Sequence, residues 1–209
     1  MAPEFRAWPK TPRLHRDMIV TEKIDGTNAA VIIEPRPVSA ARDYFGCYPV
    51  APGCIEVNGE GWFVGAQSRK RIITPGDDNF GFAAWVREHA ATLVARLGPG
   101  YHYGEWWGHG IQRGYGLPRG DRRFSLFNVS RYTDLDVSDS IGLGVVPVLA
   151  RHTFDTGRVA SVLDDLRRGG SFAAPGFDRP EGVIVFHSAA GCVFKALIEG
   201  DDRPKGESA

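Results

Sequence analysis

Lys23, two residues ahead of Asp25-Gly26 in Glu22-Lys23-Ile24-Asp25-Gly26, is the residue of this sequence best suited to covalent chemistry. The chain has 5 lysines against 20 arginines, so nearly all its basic charge sits on a side chain that does not lose its proton. A nucleophilic amine must lose it, and only lysine can serve. An unperturbed lysine titrates near ~10.4, which leaves about one in a thousand neutral at pH 7.4. Making the neutral form common requires about 4 kcal/mol of differential stabilisation, which a bound cation, neighbouring positive charge and burial can supply. That demand favours an enclosed site. The competing reading is a surface turn after a strand, because Asp-Gly is a strong turn dipeptide.

Four later segments also carry chemically capable residues. Tyr103-Gly104-Glu105-Trp106-Trp107-Gly108 places one carboxylate in an aromatic run; Phe124-Ser125-Leu126-Phe127-Asn128-Val129, Glu181-Gly182-Val183-Ile184-Val185 and Val193-Phe194-Lys195 follow. Arg69 lies in the basic stretch Ser68-Arg69-Lys70-Arg71, and a second basic stretch occupies residues 119–123. His102, His109, His152 and His187 show no helical metal-ligand spacing. His109, between two glycines, is either a loop residue near the site or an ordinary surface residue. Cys47, Cys54 and Cys192 are odd in number and form no C-x-x-C pair, so neither a disulfide framework nor a zinc knuckle is indicated.

The elements that must position these groups are mostly strands. Short apolar runs bounded by Gly, Pro and Asp at residues 29–33, 62–66, 101–107, 124–129, 145–149, 182–186 and 192–198 predict a largely antiparallel sheet protein. Two helices are expected. One spans 80–97, with Asp77, Asp78 or Asn79 as its cap and Phe82, Trp85, Val86, Leu93, Val94 and Leu97 on one face. The other spans 158–168, carries Val162, Leu163 and Leu166 on one side, and stops at Gly169-Gly170. Residues 35–61, rich in Pro, Gly and polar side chains, read as an irregular insertion between two strands of a hairpin.

Composition bounds the class. With 209 residues, 43% hydrophobic and 24% charged, the chain can bury one sizeable core. No run approaches the ~20 apolar residues of a membrane helix, and Met-Ala-Pro-Glu-Phe-Arg does not resemble a secretory leader, so a cytoplasmic protein with no membrane partner is expected. The formal net charge of zero gives no general pull on nucleic acid, leaving only local basic clusters to do so.

In this order the five segments resemble the nucleotidyltransferase motifs of ATP-dependent nucleic acid ligases and mRNA capping enzymes. The Glu-Lys-Ile-Asp-Gly-Thr-Asn form and the acid in its aromatic strand look most like the RNA ligase family, from about Thr21 to Glu199. The resemblance implies an α+β fold, a nucleotidyltransferase (ATP-grasp-like ligase core) of antiparallel sheets flanked by helices, with a nucleotide cleft between the sheets. Residues 1–199 would form that adenylation domain and 200–209 a polar tail, with no second domain evident. It implies that Lys23 attacks the α-phosphate of ATP to form lysyl-AMP, and that Asp25 and Gly26 form the presenting turn. Gly26 would let the nucleotide approach closely.

By the same resemblance Glu22 contacts the nucleotide, Arg69 contacts the nucleotide or the nucleic acid phosphate, Glu105 accepts hydrogen bonds from the ribose hydroxyls, and Phe127 stacks on adenine with Phe124 as the competing choice. Glu181 would hold Mg²⁺ or Mn²⁺, and two divalent ions could share the charge. Lys195 would contact the α-phosphate. Two departures stand out: Asn128 replaces the Asp usual after this Phe, and the pair of lysines usual in the last motif is reduced to Lys195, with Val193 and Leu197 flanking it at the two-residue spacing. No Gly-x-x-x-x-Gly-Lys-Ser/Thr loop occurs, so ATP would be handled by the lysine route. The implied activity is ATP-dependent joining of 5′-phosphate and 3′-hydroxyl RNA ends, at a nick or a DNA/RNA hybrid end, as in nucleic acid repair. A partner protein could supply a nucleic-acid-binding domain. A minimal DNA ligase, capping-type transfer, and a ligase-fold binding protein with little joining activity are the alternatives.

Overall fold

Two β-sheets with helices on their outer faces account for the chain. The computed structural model describes residues 3–41, 53–133, 135 and 141–200. In chain order the elements are β1 (Asp17–Lys23), β2 (Thr27–Arg36), α1 (Val38–Ala41), β3 (Cys54–Val57), β4 (Glu60–Ser68), β5 (Ile72–Ile73), α2 (Phe82–Glu88), α3 (Ala90–Leu97) and β6 (Gly100–Gly108). There follow β7 (Arg122–Leu126), β8 (Leu143–Val145), β9 (Val148–Thr153), α4 (Thr156–Gly169), β10 (Gly182–His187) and β11 (Cys192–Leu197). The small sheet has the order β11-β10-β1-β9; the large one runs β3-β4-β2-β6-β7-β8, with β5 against β4. Pairing is antiparallel except for β7 with β8.

Strand alternation assigns the faces. In the large sheet Ala29, Val31, Ile33, Val64, Ala66, Trp106, Phe124 and Leu126 turn inward against α2 and α3, whose Phe82, Trp85, Leu93 and Val94 complete the largest core. Phe82 stacks near Trp85 and Phe124, with ring centroids 5.7 and 4.9 Å apart. Each such fully buried side chain contributes about 1.5–3 kcal/mol. In the small sheet Met18, Val20, Val183 and Val185 meet Val162 and Leu166 of α4. A third cluster of Ile24, Trp107, Tyr115, Val129, Val146, Ala174 and Phe177 joins the two sheets. Among the described residues no helix is long and apolar enough to cross a membrane.

The expected elements are present with four corrections. The single helix over 80–97 is two, broken at His89, which sits at φ −104°, ψ 15°. Of its expected caps Asp78 does the work, accepting from the Ala83 and Ala84 amides at 2.8 and 2.9 Å. The run 145–149 is no single strand: Val146-Pro147 breaks it where the chain leaves the large sheet for the small one, and proline cannot donate to a ladder. The insertion 35–61 is not wholly irregular, since it holds α1 and β3, and residues 42–52 with Cys47 lie outside the described residues. Asn58-Gly59, at φ 53° and 82°, closes the β3–β4 hairpin, the pairing of residues that a tight primed turn demands. Finally β1, whose residues Met18, Val20 and Glu22 alternate with Ile19, Thr21 and Lys23, was not among the expected strands. The tail 201–209 lies outside the described residues.

Candidate active site

β1 ends at Lys23 and β2 begins at Thr27, so Ile24-Asp25-Gly26 carries the chain from the small sheet to the large one. Alternation puts Met18, Val20 and Glu22 on the α4 side and Lys23 on the opposite face. Lys23 Nζ donates to Glu181 Oε2 in an ion pair whose two side chains are 24% and 18% exposed. Glu181 immediately precedes β10, and Gly182 pairs with Lys23. A Cβ on Gly182 would come within 2.2 Å of the Ala196 carbonyl, so glycine lets three strands close up beside the amine.

The crossover is held at each residue. The Asp25 amide donates to Tyr115 Oη at 2.8 Å, and the Gly26 amide donates to Glu105 Oε1 at 3.2 Å. Arg113 Nε donates to Asp25 Oδ2 at 3.0 Å, while its Nη1 reaches the Arg179 carbonyl at 2.9 Å. One guanidinium therefore ties the turn after Lys23 to the loop before Glu181. Gly26 is required by the fold itself. A Cβ there would lie 2.5 Å from the Trp106 carbonyl and 2.8 Å from Trp107 Cβ, so glycine allows a close approach to β6.

Glu105 reaches this turn from the middle of β6, opposite Asn28. Burial pushes its carboxyl up to about 7; the Lys23 ammonium and the Gly26 amide pull against that, and the Glu181 and Asp25 carboxylates add to it. Lys23, Asp25, Glu105 and Glu181 thus share one electrostatic neighbourhood of three acids and one amine.

Lys195 lies on the same sheet face. β11 places it against Ile184, which pairs in turn with Thr21, while Leu197 stands against Gly182, level with Lys23. Lys195 is exposed and has no hydrogen-bond or ion-pair partner among the described residues. Phe127, 40% exposed just beyond β7, donates its amide to the Tyr103 carbonyl. Phe124 is fully buried between α2 and β6, so the choice between the two falls on Phe127.

Two expected residues are not brought to Lys23. Glu22 is 1% exposed, and its carboxylate accepts from Ser171 Oγ at 2.6 Å and from the Phe172 and Ala173 amides at 2.8 and 2.9 Å. Its side chain therefore clasps a loop instead of facing a nucleotide. Burial raises its titration above the usual range, opposed by those three hydrogen bonds. Arg69 is exposed at the end of β4, just past the Ala29–Ser68 pair, and makes no hydrogen bond or ion pair to the cluster. Its neighbour Arg71 is taken up by Asp77 in a bidentate pair at 2.5 and 2.9 Å. In the second basic stretch Arg122 holds the Phe80 carbonyl and Arg123 lies over the Trp107 ring.

Two of the histidines are taken up by the fold. Burial lowers His102 to about 4, and its ring joins Tyr132 Oη at 2.6 Å to the Gly98 carbonyl at 2.9 Å. His187 is bound by the Leu14 carbonyl. Among the described residues no group of three or more His, Cys, Asp or Glu could hold a metal ion. Sequence reasoning missed Arg113 and Tyr115. The signal for Tyr115 is weak but real: Gly114-Tyr115-Gly116 forms a tight turn with Tyr115 at φ 51°, a geometry that flanking glycines ease.

Comparison with known proteins places this geometry. A family model described as RNA ligase matches residues 16–197. The fold is similar to Naegleria gruberi RNA ligase solved as a mutant with AMP and Mn (17% identity, 94% of this chain and 57% of that one, TM-score 0.56). A mutant of the same ligase with ATP and Mn gives 16% identity, 89% and 50% coverage and a TM-score of 0.52. The chain spans about half the length of these ligases. A local match of 34% identity over 97 residues, 43% of this chain and 2% of that protein, links it to mycoketide-CoA synthase of Mycobacterium tuberculosis.

Proposed function

We propose, on the premise that this chain belongs to the RNA ligase family, that it joins RNA ends through AMP carried on Lys23. The observation that supports this reading is the meeting of Lys23, Glu181 and Glu105 at a braced crossover between two sheets. In the proposed first step Lys23 Nζ, having passed a proton to water, attacks the α-phosphorus of ATP. A nitrogen–phosphorus bond forms, the bond from that phosphorus to the bridging oxygen breaks, and pyrophosphate leaves. The AMP then passes to a 5′-phosphate end, and a 3′-hydroxyl displaces it to close the phosphodiester.

Position supports each proposed role. Glu181 holds the amine in place until ATP arrives. One or two carboxylates completed by phosphate oxygens and water are the ligands Mg²⁺ prefers, so Glu181, with Asp25 and Glu105 nearby, suits such an ion better than a closed protein cage. When bound, a divalent ion would offset the charge on the phosphates. Glu105 can accept from two ribose hydroxyls only as a carboxylate, and Phe127 offers an exposed ring for the base. Lys195, unpaired on the face that carries Lys23, would meet charge building at the α-phosphate. Glu22 enters through the loop it fixes.

A second reading, adenylylation with little end joining, is favoured by the single lysine of the last motif, since Val193 and Leu197, two residues to either side of Lys195, are both apolar where the resembling family usually has a lysine pair. Both readings require protein–AMP. Incubation with α-labelled ATP and Mg²⁺ or Mn²⁺ should label the wild-type protein and leave Lys23→Ala unlabelled; an unlabelled wild type, or a labelled variant, would sink the mechanism. Nicked duplexes with RNA or DNA at the 3′-hydroxyl side then separate the polymer classes. Sealing only of the all-DNA nick would overturn the RNA assignment, and no sealing with full labelling would favour the second reading.

A further inference from the structure

We infer that residues 3–16 form an arm that binds single-stranded RNA at a site separate from the Lys23 cluster; the choice of RNA as ligand rests on the ligase reading above. The segment reads Pro3-Glu4-Phe5-Arg6-Ala7-Trp8-Pro9-Lys10-Thr11-Pro12-Arg13-Leu14-His15-Arg16. Arg6, Lys10, Arg13 and Arg16 stand against the single acid Glu4. Because the whole chain is balanced at 25 basic and 25 acidic residues, everything outside this segment is net negative. Positive charge is therefore concentrated in the arm.

The arm spends none of that charge internally. All of residues 3–16 are exposed, and none of the four basic side chains has a hydrogen bond or ion pair among the described residues. Elsewhere Arg71, Arg113, Arg122 and Arg167 each hold a carbonyl or carboxylate. Phe5 and Trp8 are 88% and 89% exposed, and Pro3, Pro9 and Pro12 keep the chain out of helix and ladder. Flat rings interleaved with unpaired cations on an extended backbone match what a single strand presents. Bases stack on aromatic faces for about 1–3 kcal/mol each, and phosphates meet the cations.

The root of the arm sets its distance from the chemistry. The Leu14 carbonyl accepts from His187 Nε2 at 2.6 Å, and the Arg16 carbonyl accepts from the Phe154 amide at 2.8 Å. The arm thus leaves the small sheet at Asp17, six residues before Lys23 on the same strand, which is about 20 Å at ~3.3 Å per residue. RNA bound near that root would lie several nucleotides away from the reacting end.

The test uses the full chain, a 5′-phosphorylated single-stranded RNA of about a dozen nucleotides, and two variants: Arg6→Glu/Lys10→Glu/Arg13→Glu and Phe5→Ala/Trp8→Ala. Binding is read by fluorescence anisotropy across a salt series without ATP, and protein–AMP formation is read separately. The charge variant should bind at least tenfold more weakly with a salt slope shallower by about 2, since each single-strand phosphate contact contributes about 0.7. The aromatic variant should bind about fivefold or more weakly with the slope kept, and both should form protein–AMP as the wild type does. Unchanged RNA affinity and slope in both variants would overturn the proposal, as would a parallel loss of protein–AMP. Poly-glutamate bound as tightly as RNA, with no dependence on Phe5 and Trp8, would overturn it in favour of an acidic protein surface. A wild type that forms no protein–AMP but still binds RNA through the arm would count against the ligase reading alone.

Discussion

Glu22 and Glu105 are both carboxylates that burial pushes above the usual range, and they end in opposite occupations. Glu22 accepts three hydrogen bonds from residues 171–173, so its charge is spent inside the fold. Glu105 accepts one amide, from Gly26, and shares its surroundings with two further acids and an amine. A buried acid with saturated acceptors stabilises a loop; one with capacity left over, beside a paired lysine, is equipped to receive a ligand. Saturation separates the structural acid from the chemical one, and burial alone does not.

The largest expected effect falls on the amine that only one of these acids faces. Lys23→Arg keeps the charge but cannot supply a neutral nucleophile, so protein–AMP labelling should fall by about a thousandfold or more, as in Lys23→Ala; labelling above a tenth of wild type would break the assignment. The two acids should then split. Glu105→Ala should lower the rate of protein–AMP formation about 10- to 100-fold, or about 1.4–2.8 kcal/mol, without loss of thermal stability at pH 8. Glu22→Ala should do the reverse, lowering stability by at least about 3 kcal/mol as three charged-acceptor hydrogen bonds, each worth about 1.5–3 kcal/mol before the relief of burying the carboxylate, are lost, with near-normal labelling per folded molecule. Equal loss of activity and stability in both variants would erase the distinction.

A smaller effect comes from pH. Folding raises Glu105 from 4.5 to about 7, so between those values the folded protein holds more protons than the unfolded one and this residue makes stability fall as pH rises. The loss approaches about 3 kcal/mol above pH 7 and should be absent in Glu105→Gln, as denaturant titrations at pH 5 and 8 would show. ATP, which needs the carboxylate, should bind more tightly as pH rises through about 7. The smallest effect is expected of Tyr115→Phe, which removes one acceptor from the Asp25 amide and should cost about 1 kcal/mol with a modest fall in labelling.

Local pattern carried much of this molecule and none of its long-range closure. The apolar runs at 29–33 and 101–107 and the glycine stop of α4 were visible because each is written within a few residues. So was the order of Lys23, Glu105, Phe127, Glu181 and Lys195. The break at His89 was hidden because its apolar residues keep helical spacing on both sides. β1 was overlooked because Thr21-Glu22-Lys23 looks polar; burying Glu22 needs donors 149 to 151 residues away. For the same reason Glu22 looked like a ligand contact, and Arg113, whose partners lie 66 and 88 residues away, gave no local sign. Phe124 and Phe127 were separable only by face, which required the β6–β7 register.

The chain passes between its sheets at Ile24-Asp25-Gly26 and again at Val146-Pro147, and the two passages touch, the Glu22 amide donating to the Pro147 carbonyl at 2.9 Å. The sheets are therefore bound along one seam, like boards sharing a spine. In any opening of such a book, displacement grows with distance from the spine. Lys23 sits on it, so a given angle moves the amine least and moves the far end of β1, where the arm is rooted about 20 Å away, most. A wide swing at the margin is compatible with a nucleophile that keeps its aim.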